Sequence, residues 1–101
     1  MPHRLIRYRT RPERADENHR LIESVFAELR TQDRDDVRYL VLRGPDGVFF
    51  HLVAVPPTGG TSPVTELPSF QEFQRGVRER TLEAPEVVEV TLVGNHRMLS
   101  P

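Results

Sequence analysis

The sequence predicts an α+β domain in which a four-stranded antiparallel sheet carries two helices on one face. Three observations lead to this prediction: a strand–helix–strand–strand–helix–strand order of segments, a tight hairpin signal between the central strands, and a length of 101 residues, which suits one domain. The six segments are His3–Thr10, Ala15–Thr31, Val37–Arg43, Val48–Val55, Ser69–Leu82 and Val87–Gly94. This βαββαβ order is the ferredoxin-like arrangement, so residues 1–101 are expected to form a single ferredoxin-like domain.

The first strand and the first helix are separated by Pro12, which cannot donate a hydrogen bond to a sheet. Asp16 and Glu17 follow at the start of the helix, where the helix dipole favours negative charge. The apolar face of the helix is formed by residues at helical spacing, namely Leu21, Ile22, Val25, Phe26 and Leu29. Asn18 lies three residues before Leu21, so this polar side chain continues the apolar face toward the helix start.

Two connections have distinctive compositions. Gly44-Pro45-Asp46-Gly47 lies between β-rich runs and predicts a tight hairpin between the second and third strands. Pro56–Leu67 is rich in Pro, Gly, Thr and Ser, so we expect an exposed loop that is either a plain connector or a lid.

The second helix has a clear start signal and one unfavourable residue. Ser69 and Glu72 have the spacing of a capping box, in which each side chain satisfies a backbone donor of the other residue. Gly76 lies inside the predicted helix at a cost of about 1 kcal/mol relative to alanine. We interpret this glycine as a sign of close packing on the sheet.

Both faces of the predicted sheet are apolar. The second strand alternates Val37, Tyr39 and Val41 with Leu40 and Leu42, and the third strand alternates Phe50, Leu52 and Ala54 with Phe49, Val53 and Val55. Two helices cover only one face of such a sheet, and an apolar second face is unfavourable in water. We therefore expect the open face to pair with a second copy of the chain in a homodimer.

Composition excludes several classes of function. The net charge of −1 does not favour a nucleic-acid partner. The chain contains no cysteine, and all 14 of its basic residues are arginine, so neither a thiolate nucleophile nor a lysine Schiff base is available. The start of the chain lacks the apolar core of a signal peptide, and no segment has the ~20 apolar residues that span a bilayer. A cytoplasmic protein without a membrane partner is the resulting expectation.

No motif for a cofactor or a metal is present. The glycines do not form a phosphate-binding loop before a helix, and no serine lies in a nucleophile elbow. His3, His19, His51 and His96 are scattered without the spacing typical of metal ligands. The sequence therefore predicts neither a cofactor nor a metal site.

The candidate site residues are polar or aromatic side chains at positions predicted to be apolar. His51 interrupts an apolar strand and is either a pocket group that moves a proton or a hydrogen-bonded histidine at the sheet surface or dimer seam. Asn18 either holds a ligand oxygen or bonds the helix start or a nearby loop. Tyr8 and Tyr39 supply hydroxyl groups, although most buried tyrosines only pack. Phe26, Phe70 and Phe73 either form core or line an apolar cavity.

Three stretches resemble a known superfamily. Tyr8-Arg9-Thr10-Arg11-Pro12, Arg14-Ala15-Asp16-Glu17-Asn18 and Val25-Phe26-Ala27-Glu28-Leu29 resemble the dimeric α+β-barrel superfamily, and within it the small antibiotic-biosynthesis-monooxygenase-like proteins. Phe70-Gln71-Glu72-Phe73 and the closing strand Val88–Gly94 fit the same layout. The resemblance implies a homodimer whose two sheets face each other, with a cavity in each subunit between the helices and the sheet.

The resemblance also implies a class of activity. Members of the superfamily include cofactor-free monooxygenases of quinol-like aromatics, haem-degrading enzymes and proteins without known activity. The monooxygenases use an asparagine, which Asn18 matches, and a tryptophan, which this chain lacks. The leading hypothesis is a cofactor-independent monooxygenase in which Asn18 orients the substrate oxygen and His51 or Tyr39 handles the proton. Tyr8, Phe26, Phe70 and Phe73 would bind the small aromatic substrate. The alternative is a non-catalytic ligand-binding or oligomerisation module.

Overall fold

The computed structural model describes residues 2–56 and 60–99. Four strands form one antiparallel sheet in the order β2-β3-β1-β4: β1 (Pro2–Arg9), β2 (Tyr39–Arg43), β3 (Val48–Ala54) and β4 (Glu86–Thr91). The helices are α1 (Ala15–Gln32), α2 (Pro68–Gln74) and α3 (Val77–Arg80), with short 3₁₀ turns at Pro12–Arg14 and Pro63–Glu66. This topology confirms the predicted ferredoxin-like α+β fold.

The strand register determines which side chains share a face. In the β1–β3 ladder, Tyr8 pairs with Phe49, and two residues further along Ile6 pairs with His51. Because side chains alternate along a strand, these residues all lie on the face covered by the helices, which we call the covered face. Its core is formed by residues from the sheet, α1, α2 and the second 3₁₀ turn, namely Tyr8, Ala15, Ile22, Val25, Phe49, Val64, Leu67 and Phe73.

The opposite side of the sheet, the open face, carries the alternate residues of the same strands. Leu5 pairs with Leu52 on β3 and with Val88 on β4, and Leu40 on β2 also pairs with Leu52. The other apolar residues of this face are Leu42, Phe50 and Val90. The sequence-based prediction of two apolar sheet faces is therefore confirmed.

The predicted hairpin is also confirmed. Asp46 and Gly47 both have positive φ angles, 58° and 78°. The Gly47 carbonyl accepts a hydrogen bond from the Thr10 backbone N–H at 2.8 Å, and a Cβ atom at position 47 would lie 2.9 Å from the Thr10 carbonyl oxygen. Only glycine combines this backbone conformation with so close an approach.

The predicted second helix differs from the structure at both its start and its middle. It begins at Pro68, and Ser69 donates its hydroxyl to Glu28 Oε1 of α1, so the predicted capping box with Glu72 is wrong. Proline suits the first helical position because its missing N–H has no helical acceptor there. The helix then breaks at Gly76, whose φ is +76°. An added Cβ atom would meet its nearest neighbour at an ordinary 3.7 Å, so Gly76 reflects a left-handed turn and not close packing.

Some element ends were also misplaced. β2 begins at Tyr39 instead of Val37, and β4 ends at Thr91 instead of Gly94. The expected loop Pro56–Leu67 contains the second 3₁₀ turn, and its residues 57–59 lie outside the described part of the chain. None of the helices in the described residues is long and apolar enough to cross a bilayer.

Candidate functional site

Tyr8, Tyr39 and His51 meet on the covered face. Their strands are neighbours, with β3 in the middle, and the register places the two tyrosines diagonally on either side of His51. The Tyr8 hydroxyl lies 2.8 Å from Nε2 of His51, and the Tyr39 hydroxyl lies 2.6 Å from Nδ1. Both imidazole nitrogens are therefore engaged in hydrogen bonds.

Asn18 and Arg80 extend this cluster away from Tyr39. Nδ2 of Asn18 donates to the Tyr8 hydroxyl at 2.9 Å, and Nε of Arg80 donates to Oδ1 of Asn18 at 3.0 Å. Arginine has only donors, so the amide oxygen of Asn18 must face Arg80 and the amide nitrogen must face Tyr8. We call the resulting chain Arg80–Asn18–Tyr8–His51–Tyr39 the Arg80–Tyr39 network.

Arg80 is a buried cation whose charge faces neutral oxygens. Its side chain is 2% exposed, and its guanidinium donates to the backbone carbonyls of Phe73 and Arg75 at the broken end of α2. Carbonyls at a helix C-terminus lack helical partners and carry partial negative charge, so they are favourable neighbours for a cation. The guanidinium also lies over the Phe73 ring, 5.3 Å from its centroid. Burial lowers the pKa of Arg80, and the nearby Glu17 carboxylate opposes that shift.

The groups of the network next to the cavity are uncharged at neutral pH. Burial lowers the pKa of His51 to about 4, because the imidazolium form would lose its hydration. Burial raises the pKa of Tyr8 to about 12, although the Asn18 hydrogen bond and the Arg80 charge oppose the rise. The pKa of Tyr39 is also raised by burial. His51 is thus neutral and carries a single ring proton.

A cavity of about 210 Å³ lies above these residues, between the sheet, the second 3₁₀ turn and α2–α3. Tyr8, Tyr39 and His51 contribute its polar groups on the sheet side. Its apolar lining comes from both layers, namely Ile6, Val53, Val64, Phe70, Phe73 and Val77. Apolar cavities of about 150 Å³ bind benzene, so this space suits one substituted aromatic ring.

The structure does not bring every predicted site residue to this cavity. Tyr8, Tyr39, His51, Phe70 and Phe73 all line it. Phe26 lies outside the lining: its ring stacks on the ring of Tyr39 at 5.1 Å and borders a separate cleft beside α1.

Asn18 is fully buried behind Tyr8, with both ends of its amide already hydrogen-bonded inside the protein. Direct contact between Asn18 and a substrate oxygen therefore has no geometric support. His51 is hydrogen-bonded, as one interpretation expected, and it lines the cavity on the covered face, away from the open face that we expect to pair.

Arg80 is the site residue that sequence reasoning missed. Phe73, Val77 and Arg80 are spaced by four and three residues, which would place Arg80 on the apolar face of a continuous helix. The same signal, a polar residue on an apolar face, drew attention to Asn18. The network has one imidazole and no carboxylate, and the described residues contain no group of three or more side chains suited to a metal ion.

Solved structures share this fold over nearly the whole chain. A Bacteroides thetaiotaomicron protein provisionally named an antibiotic biosynthesis monooxygenase matches with a TM-score of 0.73 and 16% identity, covering 98% of this chain and 95% of that one. A Nitrosomonas europaea protein of the same provisional name gives a TM-score of 0.70 and 12% identity, covering 93% and 100%. A third structure, described as an antibiotic biosynthesis monooxygenase, matches with a TM-score of 0.66 and 13% identity. The match covers 93% of this chain and 100% of that one.

By sequence, no protein-family model and no curated protein matches the chain. At the identities of these structural matches, the likeness establishes the fold and leaves the activity open. The expected resemblance to antibiotic-biosynthesis-monooxygenase-like proteins is therefore confirmed as a likeness of fold.

Proposed function

We propose that this protein binds a small aromatic molecule above His51 and oxidises it as a cofactor-independent monooxygenase, working as a homodimer. The observation that carries the proposal is the cavity itself, in which Phe70 and Phe73 face a hydroxyl–imidazole–hydroxyl cluster on the sheet. Apolar walls with a few convergent polar groups are typical of small-molecule sites. The names of the proteins that share the fold support the choice of reaction.

The proposed reaction uses electrons from the substrate. A hydroxyarene loses a proton to give an electron-rich anion, which transfers electrons to O₂ and then combines with the reduced oxygen. Overall, a ring CH₂ unit of the keto tautomer and O₂ give a ring C=O and water, so the substrate supplies all four electrons. The protein then has to bind the ring, exclude water and stabilise the anion.

Tyr39 is the group best placed to contact the substrate oxygen. It lines the cavity and is less buried than Tyr8, and its ring is held between Phe26 and Phe70. His51 holds the Tyr39 hydroxyl in place, and its low pKa makes it a weak base by itself. We therefore assign the contact with the substrate oxygen to Tyr39, and to Asn18 a positioning role exerted through Tyr8.

Oxygen uptake with a panel of dihydroxynaphthalenes tests this function. We expect the wild-type protein to consume O₂, and Tyr39→Phe to lower kcat/KM about 100-fold, the effect of removing one donor to a developing oxyanion. Ser24→Ala, on the exposed surface of α1, is the matched control and should leave the rate unchanged. Failure of every substrate to give uptake by wild-type protein would contradict the monooxygenase proposal.

A non-catalytic ligand-binding module is the second candidate function. The observation in its favour is the low pKa of His51, which leaves no base in the network tuned to neutral pH. Binding of the same dihydroxynaphthalenes without O₂ uptake would support this candidate over the enzyme.

The open face supports the proposed homodimer. Its apolar side chains include Leu42 and Val88, which are 57% and 45% exposed. A broad groove of about 670 Å³, lined partly by His3, Leu40 and Leu52, crosses the same face. Arg7 and Glu86 are register partners on this face, so an identical copy related by a two-fold axis offers both an apolar surface and opposite charges.

A further inference from the structure

We infer that Arg80 sets the direction of every hydrogen bond in the Arg80–Tyr39 network, so that His51 carries its proton on Nδ1 and Tyr39 donates its hydroxyl hydrogen into the cavity. The ligand must then present an acceptor oxygen, such as a carbonyl or a phenolate, to Tyr39. This ligand preference rests on the proposed function. The direction of the hydrogen bonds rests on the ligand-free protein alone.

The first two hydrogen bonds have only one possible direction. Arg80 can only donate, so Oδ1 of Asn18 accepts from its Nε at 3.0 Å. The other end of the amide is then a donor, and Nδ2 gives its hydrogen to the Tyr8 hydroxyl oxygen at 2.9 Å. Tyr8 therefore enters the rest of the network as an acceptor from Asn18 that still has its own hydrogen to give.

The third hydrogen bond, between Tyr8 and His51, decides the tautomer of the histidine. Neutral imidazole has one donor and one acceptor nitrogen. If Tyr8 donates to Nε2, the Tyr8 oxygen accepts from Asn18, and the Tyr8 hydrogen and the Nε2 lone pair are each other's partners. If Nε2 donates instead, the Tyr8 oxygen receives two hydrogens, and its own hydrogen has no acceptor among the described residues. An unpaired donor on a side chain that is 5% exposed is unfavourable, so the first arrangement is preferred.

The charge of Arg80 favours the same arrangement. When Tyr8 donates to His51 and His51 donates onward from Nδ1, every oxygen or nitrogen lone pair along the chain faces the guanidinium, and every hydrogen points away from it. The reverse tautomer would turn the positive end of the imidazole N–H toward this buried cation. Because the surroundings are poorly hydrated, the charge acts with little screening.

The last hydrogen bond leaves one hydrogen for the ligand. With Nδ1 of His51 donating, the Tyr39 oxygen is an acceptor at 2.6 Å, and its own hydrogen has no acceptor among the described residues. Tyr39 lines the cavity, so this hydrogen is available to a bound molecule. Each hydrogen-bond donor in the network polarises the group that follows it, so the Tyr39 hydroxyl becomes a stronger donor toward an anionic or carbonyl oxygen.

The tautomer is measured directly by long-range ¹H–¹⁵N correlation NMR on ligand-free protein labelled in its histidines, with His51 assigned by the loss of its signals in His51→Gln. We expect a pyrrole-type nitrogen at Nδ1 and a pyridine-type nitrogen at Nε2. A pyrrole-type Nε2 would overturn the inference, whatever the protein binds.

Asn18→Asp reverses the chain with almost no change of shape. The aspartate still accepts from Arg80, but it has no hydrogen for Tyr8, so Tyr8 must donate to the carboxylate and accept from Nε2 of His51. We expect the His51 tautomer to switch to Nε2–H. An unchanged Nδ1–H tautomer in the folded variant would show that Arg80 and Asn18 do not set the direction.

Two shape-matched probes test the ligand preference. Acetophenone has a carbonyl acceptor, and α-methylstyrene replaces that oxygen with a CH₂ group. We expect wild-type protein to prefer acetophenone by about three- to tenfold, the range of one net hydrogen bond, and Asn18→Asp and Tyr39→Phe to reduce the ratio toward one. An equal affinity of wild-type protein for both probes would overturn the ligand preference. An Nδ1–H tautomer with no binding of either probe would instead count against the proposed function, leaving the hydrogen-bond direction intact.

Discussion

The two faces of the sheet use alternate residues of the same strands in opposite ways. On the covered face, polar side chains such as His51 and Tyr8 are buried among apolar residues, and each buried side-chain polar atom in the described part of the chain has a hydrogen-bond partner. On the open face, the adjacent residues Phe50 and Leu52 are apolar and partly exposed. The polar groups of the covered face are satisfied within one chain, whereas the open face is the surface that we propose pairs with a second chain.

This difference reflects the different demands that polar and apolar contacts make on their surroundings. A polar group is stable on the covered face only because residues as distant as Asn18 and Arg80 supply its partners. The open face requires no such pairing, since apolar contacts are not directional. The proposed chemistry therefore depends on the covered face and the proposed assembly on the open face.

The largest expected effect is on the free energy of unfolding, and it should differ between two consecutive residues of β3. Phe49 is 1% exposed on the covered face, so Phe49→Ala should lower the free energy of unfolding by about 3–5 kcal/mol. Phe50→Ala removes the same side chain from the open face and should cost the single chain much less. Urea denaturation at low protein concentration measures both. Equal losses would break the distinction between the faces.

The next effect is a dependence of stability on pH that comes from the covered face. The pKa of His51 is about 4 in the folded protein against an ordinary value of 6.5, so on acidification the unfolded chain takes up the proton first. Stability should fall as pH drops below about 6.5 and level off below about 4, a total loss of about 3 kcal/mol. The difference between unfolding curves of the wild type and His51→Gln isolates this contribution. Parallel curves between these pH values would contradict the burial of a neutral His51.

The smallest effect on folding should come with the largest effect on assembly. Leu42 is more than half exposed on the open face, so Leu42→Glu should change the unfolding free energy of the single chain by no more than about 0.5 kcal/mol. The added charge should nevertheless dissociate the proposed homodimer, as sedimentation velocity would show. Ser24→Glu adds the same charge on α1 and should remain dimeric. A wild-type protein that is monomeric at micromolar concentration would refute the dimer.

The fold was predictable because it depends on local patterns. Alternating apolar residues defined the strands and both sheet faces, and Gly44–Gly47 defined the hairpin. Local patterns failed where a distant residue competed: Ser69 bonds to Glu28, 41 positions away, instead of forming the capping box. They also failed at Gly76, because a glycine inside a helix and a glycine that breaks a helix look alike in the sequence.

The candidate site was only partly predictable, for a related reason. His51 and Asn18 were recognisable as polar residues among apolar neighbours. The contacts between Tyr8, His51 and Tyr39 depend on how three strands are aligned with one another, which a single sequence does not specify. Arg80 was missed because its partners lie on other elements: the turn at Gly76 brings it to the carbonyls of α2, and tertiary packing brings it to Asn18 of α1.

That turn places Arg80 against a residue that lines the proposed ligand cavity. Phe73 forms part of the cavity wall, and its carbonyl and ring both contact the Arg80 guanidinium. A guest molecule that displaces the Phe73 ring by even a fraction of an ångström would alter the surroundings of the Arg80 Nε–H. The resonance of this proton therefore provides a built-in spectroscopic probe for screening compounds, without any label at the cavity.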